Sequence, residues 1–156
     1  YLISEDINGH LATSNQVLKN NVKVWLNHHR MINDTIDILD PRIINIGIKF
    51  SAVVDYDQDK FEALNVAINT IQEMFEQQLD IGQPIYITEI YDRLNNLEEI
   101  VDVTDVKMNT NNGGQYSDDD LDIKGYISAD GRILYAPENV IYELRFPNRD
   151  IKGTIK

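Results

Sequence analysis

The run NHHRMINDTIDILD, residues 27 to 40, places His28 and His29 a few residues ahead of Asp34, Asp37 and Asp40. Imidazoles and carboxylates together are the usual materials of a metal centre or an acid-base pair. Zinc-binding helices present two histidines at i and i+4 on one face, whereas neighbours at i and i+1 diverge by about 100°. The spacing therefore favours a partly buried His29 bonded to a backbone group or water, with His28 toward the edge of the same face. Asp34 reads as a turn residue, Asp37 as the polar side of a short strand TIDIL, and Asp40 as the residue that sets the turn before Pro41.

Other candidate constellations dissolve in the same way. DYDQD, residues 55 to 59, opens like a calcium loop, but Lys60 stands where the loop needs glycine and Val66 where it needs a bidentate glutamate. Asp57 and Asp59 are then turn and helix-cap residues. SDDD, 117 to 120, reads as a solvated acidic run, and Gly113-Gly114 precedes no helix that could cradle a phosphate. No serine lies in a G-x-S-x-G elbow, and His10, His28 and His29 are the only histidines. With no cysteine in the chain, thiolate catalysis and zinc-thiolate sites are excluded. The residues thus give no catalytic set, no cofactor loop and no metal ligands, and an enzyme is not expected.

Composition narrows the partners. The chain has 156 residues, the length of one domain, and carries 14 Lys+Arg against 26 Asp+Glu, a formal net charge of -12. Such a surface repels phosphate backbones and anionic headgroups, so neither nucleic acid nor membrane is expected as a partner. No apolar run reaches the roughly 18 residues of a membrane span, and the N-terminus lacks a signal-peptide layout. Tyr1 in place of Met suggests a piece of a longer chain.

The elements that must position these residues follow from periodicity. ATSNQVLKNNVKVWLNHHRM is a helix with Thr13 and Gln16 as its capping box and a buried face of Leu18, Val22, Trp25, Leu26 and His29. IINIGIKFSAVV alternates Ile44, Ile46, Ile48, Phe50, Ala52 and Val54 against Asn45, Gly47, Lys49 and Ser51, which is a long half-buried strand. A second helix buries Phe61, Leu64, Ile68, Ile71 and Phe75, starts at Asp59 and Glu62 and stops before Gly82. A third starts at Thr88 and turns Ile90, Leu94 and Leu97 inward. IVDVTDVKM is a strand whose apolar phase slips near Thr104 or Asp105, which predicts a bulge. Residues 109 to 122 read as an exposed loop, and 123 to 156 as a hairpin-containing extension of the sheet with its turn at Ala129-Asp130-Gly131. In VIYELRF, Val140, Tyr142, Leu144 and Phe146 face the core while Ile141, Glu143 and Arg145 face outward.

These elements predict one α+β domain: a two-layer sandwich of a mixed or mainly antiparallel sheet with two or three helices on one face and a wet opposite face. A doubly wound parallel sheet would need strands apolar on both sides.

The order of elements also carries a family resemblance. RMIND at a helix end, TIDILDPRIINIGIKFSAVVDY, an amphipathic helix, and IGQPIYITEIYDRLNNLEEIVDVTDVKM resemble the C-terminal part of baseplate wedge proteins of large contractile-tailed (T-even-like) phages, in the baseplate J-like family. The similarity runs from about Val17 to Met108 and extends through APENVIYELRFPNRDIKGTI. It implies a structural, non-enzymatic subunit of the virion tail, assembled in the host cytoplasm. Such a subunit contacts other wedge subunits and a second copy of itself around the tail hub, and helps pass the baseplate rearrangement to the contracting sheath. Under that reading the interface candidates are Gln115 and Tyr116 in the loop and Ile141, Glu143 and Arg145 on the outer strand face. Two other classes stay open at this point: a small-ligand regulatory α+β module and a metal-dependent hydrolase of envelope polymers.

Overall fold

The longest apolar alternation in the sequence becomes the central strand of the fold. The computed structural model describes residues 1–29, 31 and 34–156; Arg30, Ile32 and Asn33, in the RMIND stretch that contributes to the resemblance, lie outside the described residues. In chain order the elements are β1 Ile3–Glu5, β2 Leu11–Thr13, α1 Gln16–Asn27, β3 Arg42–Val54, α2 Lys60–Met74, β4 Ile85–Tyr86, α3 Ile87–Asn95 and β5 Ile100–Asn111. A 3-10 turn at Ile123–Tyr126 follows, then β6 Ile133–Leu134, β7 Val140–Glu143, α4 Pro147–Asp150 and β8 Ile151–Ile155. The protein is an α+β fold built on a mixed sheet. Among the described residues no helix is long and apolar enough to cross a membrane.

β3 organises the sheet. β5 runs antiparallel along one edge, and β7 and β8 run parallel along the other, β7 beside Arg42 to Asn45 and β8 beside Ile48 to Ala52. Opposite the two β3 residues Ile46 and Gly47, the chain makes a seven-residue excursion from Leu144 to Asp150 before rejoining the sheet. The bulge predicted in β5 is present at Thr104, which pairs with nothing between Ser51↔Asp105 and Ala52↔Val103; its hydroxyl donates to the Ser51 carbonyl at 3.1 Å.

One face of β3 behaves as its alternation predicts. Ile48, Phe50, Ala52 and Val54 pack beneath Ala63, Ala67 and Ile71 of α2 and Ile87, Ile90 and Leu94 of α3. Toward the start of β3, Ile44 and Ile46 join Val140 and Tyr142 under a cover made by β4, β6 and the 3-10 turn. The predicted turn at Ala129-Asp130-Gly131 links that 3-10 turn to β6, with the Gly131 N–H donating to the Ser128 carbonyl at 2.8 Å. At the β5 edge, α3 closes two outward N–H groups: Val103 N donates to Asn95 Oδ1 at 2.9 Å and Val106 N to the Tyr91 hydroxyl at 2.8 Å. An edge strand whose donors are taken by side chains is a poor template for another strand.

The opposite face departs from expectation. It is open around Lys49, but Asn45 is 0% exposed and Gly47 is buried, while Ile43 and Ile141 pack beneath Leu11 of the β1–β2 hairpin. The alternation of β3 shows which side chains share a face; it contains no information about a cover supplied by residues 3 to 13 and 112 to 122.

Several local expectations are corrected by pairing made elsewhere. Thr13 is not the cap of α1, because it is taken up in the β1–β2 ladder opposite Ile3; Asn15 caps instead, accepting from Leu18 N at 2.8 Å. TIDIL forms no strand, since among the described residues no neighbour offers it a ladder beyond one bond from Leu2 N to the Leu39 carbonyl. α2 ends at Met74, well before Gly82, with Phe61 left 80% exposed at its first turn. Thr88 lies inside α3, whose N-cap is Tyr86: the chain passes straight from β4 into the helix, with Ile87 N held by the Arg132 carbonyl at 2.8 Å.

The closest approach in the sheet is at Gly153, in β8 beneath α2. A Cβ there would overlap Leu64 Cδ1 and the Phe50 ring. Overpacking of this kind forces neighbours off their rotamers, so Gly153→Ala is expected to destabilise the fold by about 1–3 kcal/mol in urea unfolding.

Candidate functional site

Asn45, Asn111 and Glu143 lie directly opposite one another across β5, β3 and β7, so their side chains leave the same face of the sheet. That face is covered at this point, and three polar side chains under a cover must find partners. Asn45 Nδ2 donates to Glu143 Oε2 at 2.6 Å, and its Oδ1 accepts from Ser117 N at 2.7 Å. Glu143 Oε1 accepts from Leu11 N at 2.7 Å, and Arg145 Nη1 stands 3.4 Å from Oε2. At the far end of the excursion, buried Asp150 accepts from Tyr116 Oη at 2.6 Å, Phe146 N at 2.9 Å and Asn111 Nδ2 at 3.0 Å. Two carboxylates thereby connect the hairpin, three strands, the excursion and the loop.

The loop itself is docked. β5 continues to Asn111, so only residues 112 to 122 form it, and its acids are not a simple solvated run. Asp119 accepts from Ile43 N at 3.0 Å, the Asp120 carbonyl accepts from Arg42 Nη2, and Leu121 is buried. Gly113 and Gly114 form a turn closed by Tyr116 N donating to the Gly113 carbonyl at 3.1 Å.

Among the interface candidates, Ile141 at 3% and Glu143 at 8% exposure are buried, which corrects the expectation that they face outward. The β1–β2 hairpin lies over them. Arg145 is largely covered, and its Nε is a buried polar atom without a hydrogen-bond partner among the described residues. Tyr116 is half-buried, its phenol pKa raised by burial and by the bond to the Asp150 carboxylate. Gln115 is exposed and accepts from Arg149 Nη1 at 2.8 Å. Phe146 carries a small cluster of rings and cations: His10 and Tyr116 meet it edge-on at 5.3 and 5.5 Å, and Arg149 lies 5.4 Å from its centroid.

The opening histidines are separated from all of this. His28 and His29 are exposed; His29 lies against Trp25 with ring centroids 4.5 Å apart and its Nδ1 3.0 Å from the Trp25 carbonyl. The backbone partner matches the reading of the sequence, but the burial does not, because among the described residues the cover of α1 reaches Val22 and Leu26 only in part and leaves His29 exposed. Asp37 and Asp40 pair with Lys23 and Lys19 at 3.4 and 2.5 Å, and Asp59 caps α2 through Phe61 N at 2.8 Å. Among the described residues no group of three or more His, Asp or Glu side chains is placed to hold a metal ion.

Two of the surface clefts lie over β5 and beside Asp150. A groove of about 790 Å³ between α3, β5 and the 127–134 hairpin has Ile87, Val106 and Met108 in its wall. Four of its charges pair among themselves, Lys107 with Asp105 at 2.6 Å and Arg132 with Asp130 at 3.7 Å, and Asp92 also lines it. The Ser128 hydroxyl, then the Arg132 backbone N–H, hold the Asp130 carboxyl below its ordinary pKa. The second cleft, about 320 Å³, lies beside the Asp150 end of the network and is walled by Lys49, Lys152 and Arg149.

The chain matches no protein-family model and no curated protein.

Asn45 and Asp150 had only weak signals in the sequence. An asparagine inside a run of isoleucines is the one local sign that the strand's second face is closed over polar groups. Removing it leaves Glu143 and the Ser117 N–H with unmet bonds, so Asn45→Ala is expected to cost about 2–3 kcal/mol by urea unfolding. A second expectation concerns pH. Tyr142, fully buried with its hydroxyl donating to the Tyr135 carbonyl at 2.8 Å, has its phenol pKa pushed up by burial, and secondarily by Tyr126, to about 12. The unfolded phenol ionises near its ordinary value of about 10, so this stabilising contribution is complete below that pH and is lost as pH rises toward 12. Unfolding titrations from pH 9 to 12 should show stability falling across that window, less steeply in Tyr142→Phe.

Proposed function

We propose that this chain is a structural subunit of a phage tail baseplate wedge, which contacts neighbouring wedge subunits around the hub and passes their rearrangement to the contractile sheath. The observation that carries the reading is α1. None of its residues is buried, and Val17, Val24 and Trp25 stand 69%, 58% and 61% exposed. A twelve-residue helix is marginal alone. Its ties to the domain include Lys19 on Asp40, with the lysine largely covered, and Lys23 on Asp37, an exposed ion pair of a kind that adds little. Val17, Val24 and Trp25 lie within about 100° of helical arc, and exposed apolar side chains grouped in this way mark a surface completed by another subunit.

Two further points support it. The sequence order behind the resemblance, from helix to Asp-Pro, long alternating strand, helix, IG-x-P-I segment, helix and strand, is also the order of α1, β3, α2, β4, α3 and β5. The polar residues that crowd the network are spent on each other and on backbone groups, an arrangement suited to rigidity. The partners under this reading are other wedge subunits and a second copy of the chain, in the virion tail.

The chain has one tryptophan, so its emission reports α1 alone. On assembly with cognate tail proteins, Trp25 emission should shift to the blue and lose access to a soluble quencher, and Val17→Asp with Val24→Asp should abolish complex formation while leaving the fold intact. Unchanged emission, or a doubly substituted chain that assembles normally, would remove the reading's main support. A particle structure in which no subunit contact reaches about 1,000 Å² in total would do the same.

A further inference from the structure

We propose that the cleft over the face of β5, β3 and β8, walled by Lys49, Lys152 and Arg149, is a docking site for the carboxylates of a short acidic segment of a partner protein. The register places Lys49 directly opposite Lys152 on β8 and directly opposite Lys107 on β5. Residues opposed in this way share a sheet face, and strands lie about 4.8 Å apart, so three lysines leave that face within about 10 Å. Like charges directly opposite one another are destabilising. Lys107 is relieved by Asp105 at 2.6 Å, but among the described residues neither Lys49 nor Lys152 has a carboxylate partner, and Arg149 bonds the neutral Gln115 side chain. In a chain with 26 acids to 14 bases, three cations unpaired with any acid converge on one cleft of about 320 Å³.

The walls select the kind of anion. Asp150 contributes to the cleft, its oxygens already taken by Tyr116, Asn111 and Phe146 N. Its charge penalises a doubly charged phosphate more than a carboxylate. A nucleic acid would carry its charge beyond the cleft across a surface of net charge -12, which repels it. A short run of Asp or Glu carries one charge per group and ends close to the cleft, so it meets both penalties least. Along an extended segment its alternate side chains lie roughly 7 Å apart, within reach of two flexible lysine stems. The inference is independent of the reading of α1, which concerns a different, apolar surface.

Titrating the full chain with a hexaglutamate peptide at low ionic strength tests it. Saturable binding is expected, weakened about tenfold or more by Lys49→Gln with Lys152→Gln, unaffected by Lys60→Gln on exposed α2, and lost as salt is added. Both substitutions are on solvent-facing positions, so the variants keep their fold. The proposal is overturned by absence of saturable binding, by equal binding to the double variant, or by tighter binding of inorganic phosphate or a single-stranded oligonucleotide at the same lysines.

Discussion

The bond between Asn45 and Glu143 is the constraint on which the rest of the arrangement turns. β7 leaves the edge of β3 just after Glu143, and the chain does not rejoin until Ile151. Between those points β3 loses its neighbour on one side. A gap in a covered sheet exposes backbone and side-chain donors that cannot be left unmet. Glu143 closes one end through Asn45, Leu11 N and Arg145, while Asp150 closes the other through Phe146 N, Asn111 and Tyr116. Each carboxylate serves as a joint between segments distant in sequence. The hairpin and the 112–122 loop are therefore fixed by polar bonds as well as by the apolar burial of Leu11 and Leu121.

What could be read from the sequence follows from the range of the forces involved. The long alternation of β3, the bulge at Thr104, the Asp59 cap and the Gly131 turn are set by neighbours within a few residues, and each is found where periodicity places it. Ile141 and Glu143 misled because alternation in VIYELRF tells only that they oppose Val140 and Tyr142. Whether their side is wet depends on a hairpin more than a hundred residues earlier. Trp25 misled in the opposite direction: an amphipathic pattern says a face wants cover, and this domain does not supply it. The candidate site was least legible, since the bonds of Asp150 to Asn111 and Tyr116 span 39 and 34 residues with no spacing rule to announce them.

The surfaces left over divide by chemistry. Among them are the apolar side of α1, the lysine-walled cleft beside Asp150 and the groove between α3 and β5. Among the described residues no group of three or more His, Asp or Glu is placed to hold a metal ion, and of the crowded residues 27 to 40, His29 lies on the Trp25 carbonyl while Asp37 and Asp40 pair with Lys23 and Lys19. A rigid polar joint inside, with one apolar and one cationic surface outside, suits a part whose task is to hold and transmit positions among neighbours.

The central claim is that α1 is completed by another subunit. Backbone amide hydrogen exchange of residues 16 to 27 measures this directly, because a marginal helix with no buried residue opens freely until something covers it. The account predicts fast exchange across α1 in the isolated chain, slow exchange in β3, and strong protection of α1 once the chain is assembled with the neighbouring subunits proposed for it. Equal exchange of α1 in the isolated and assembled chain would contradict it.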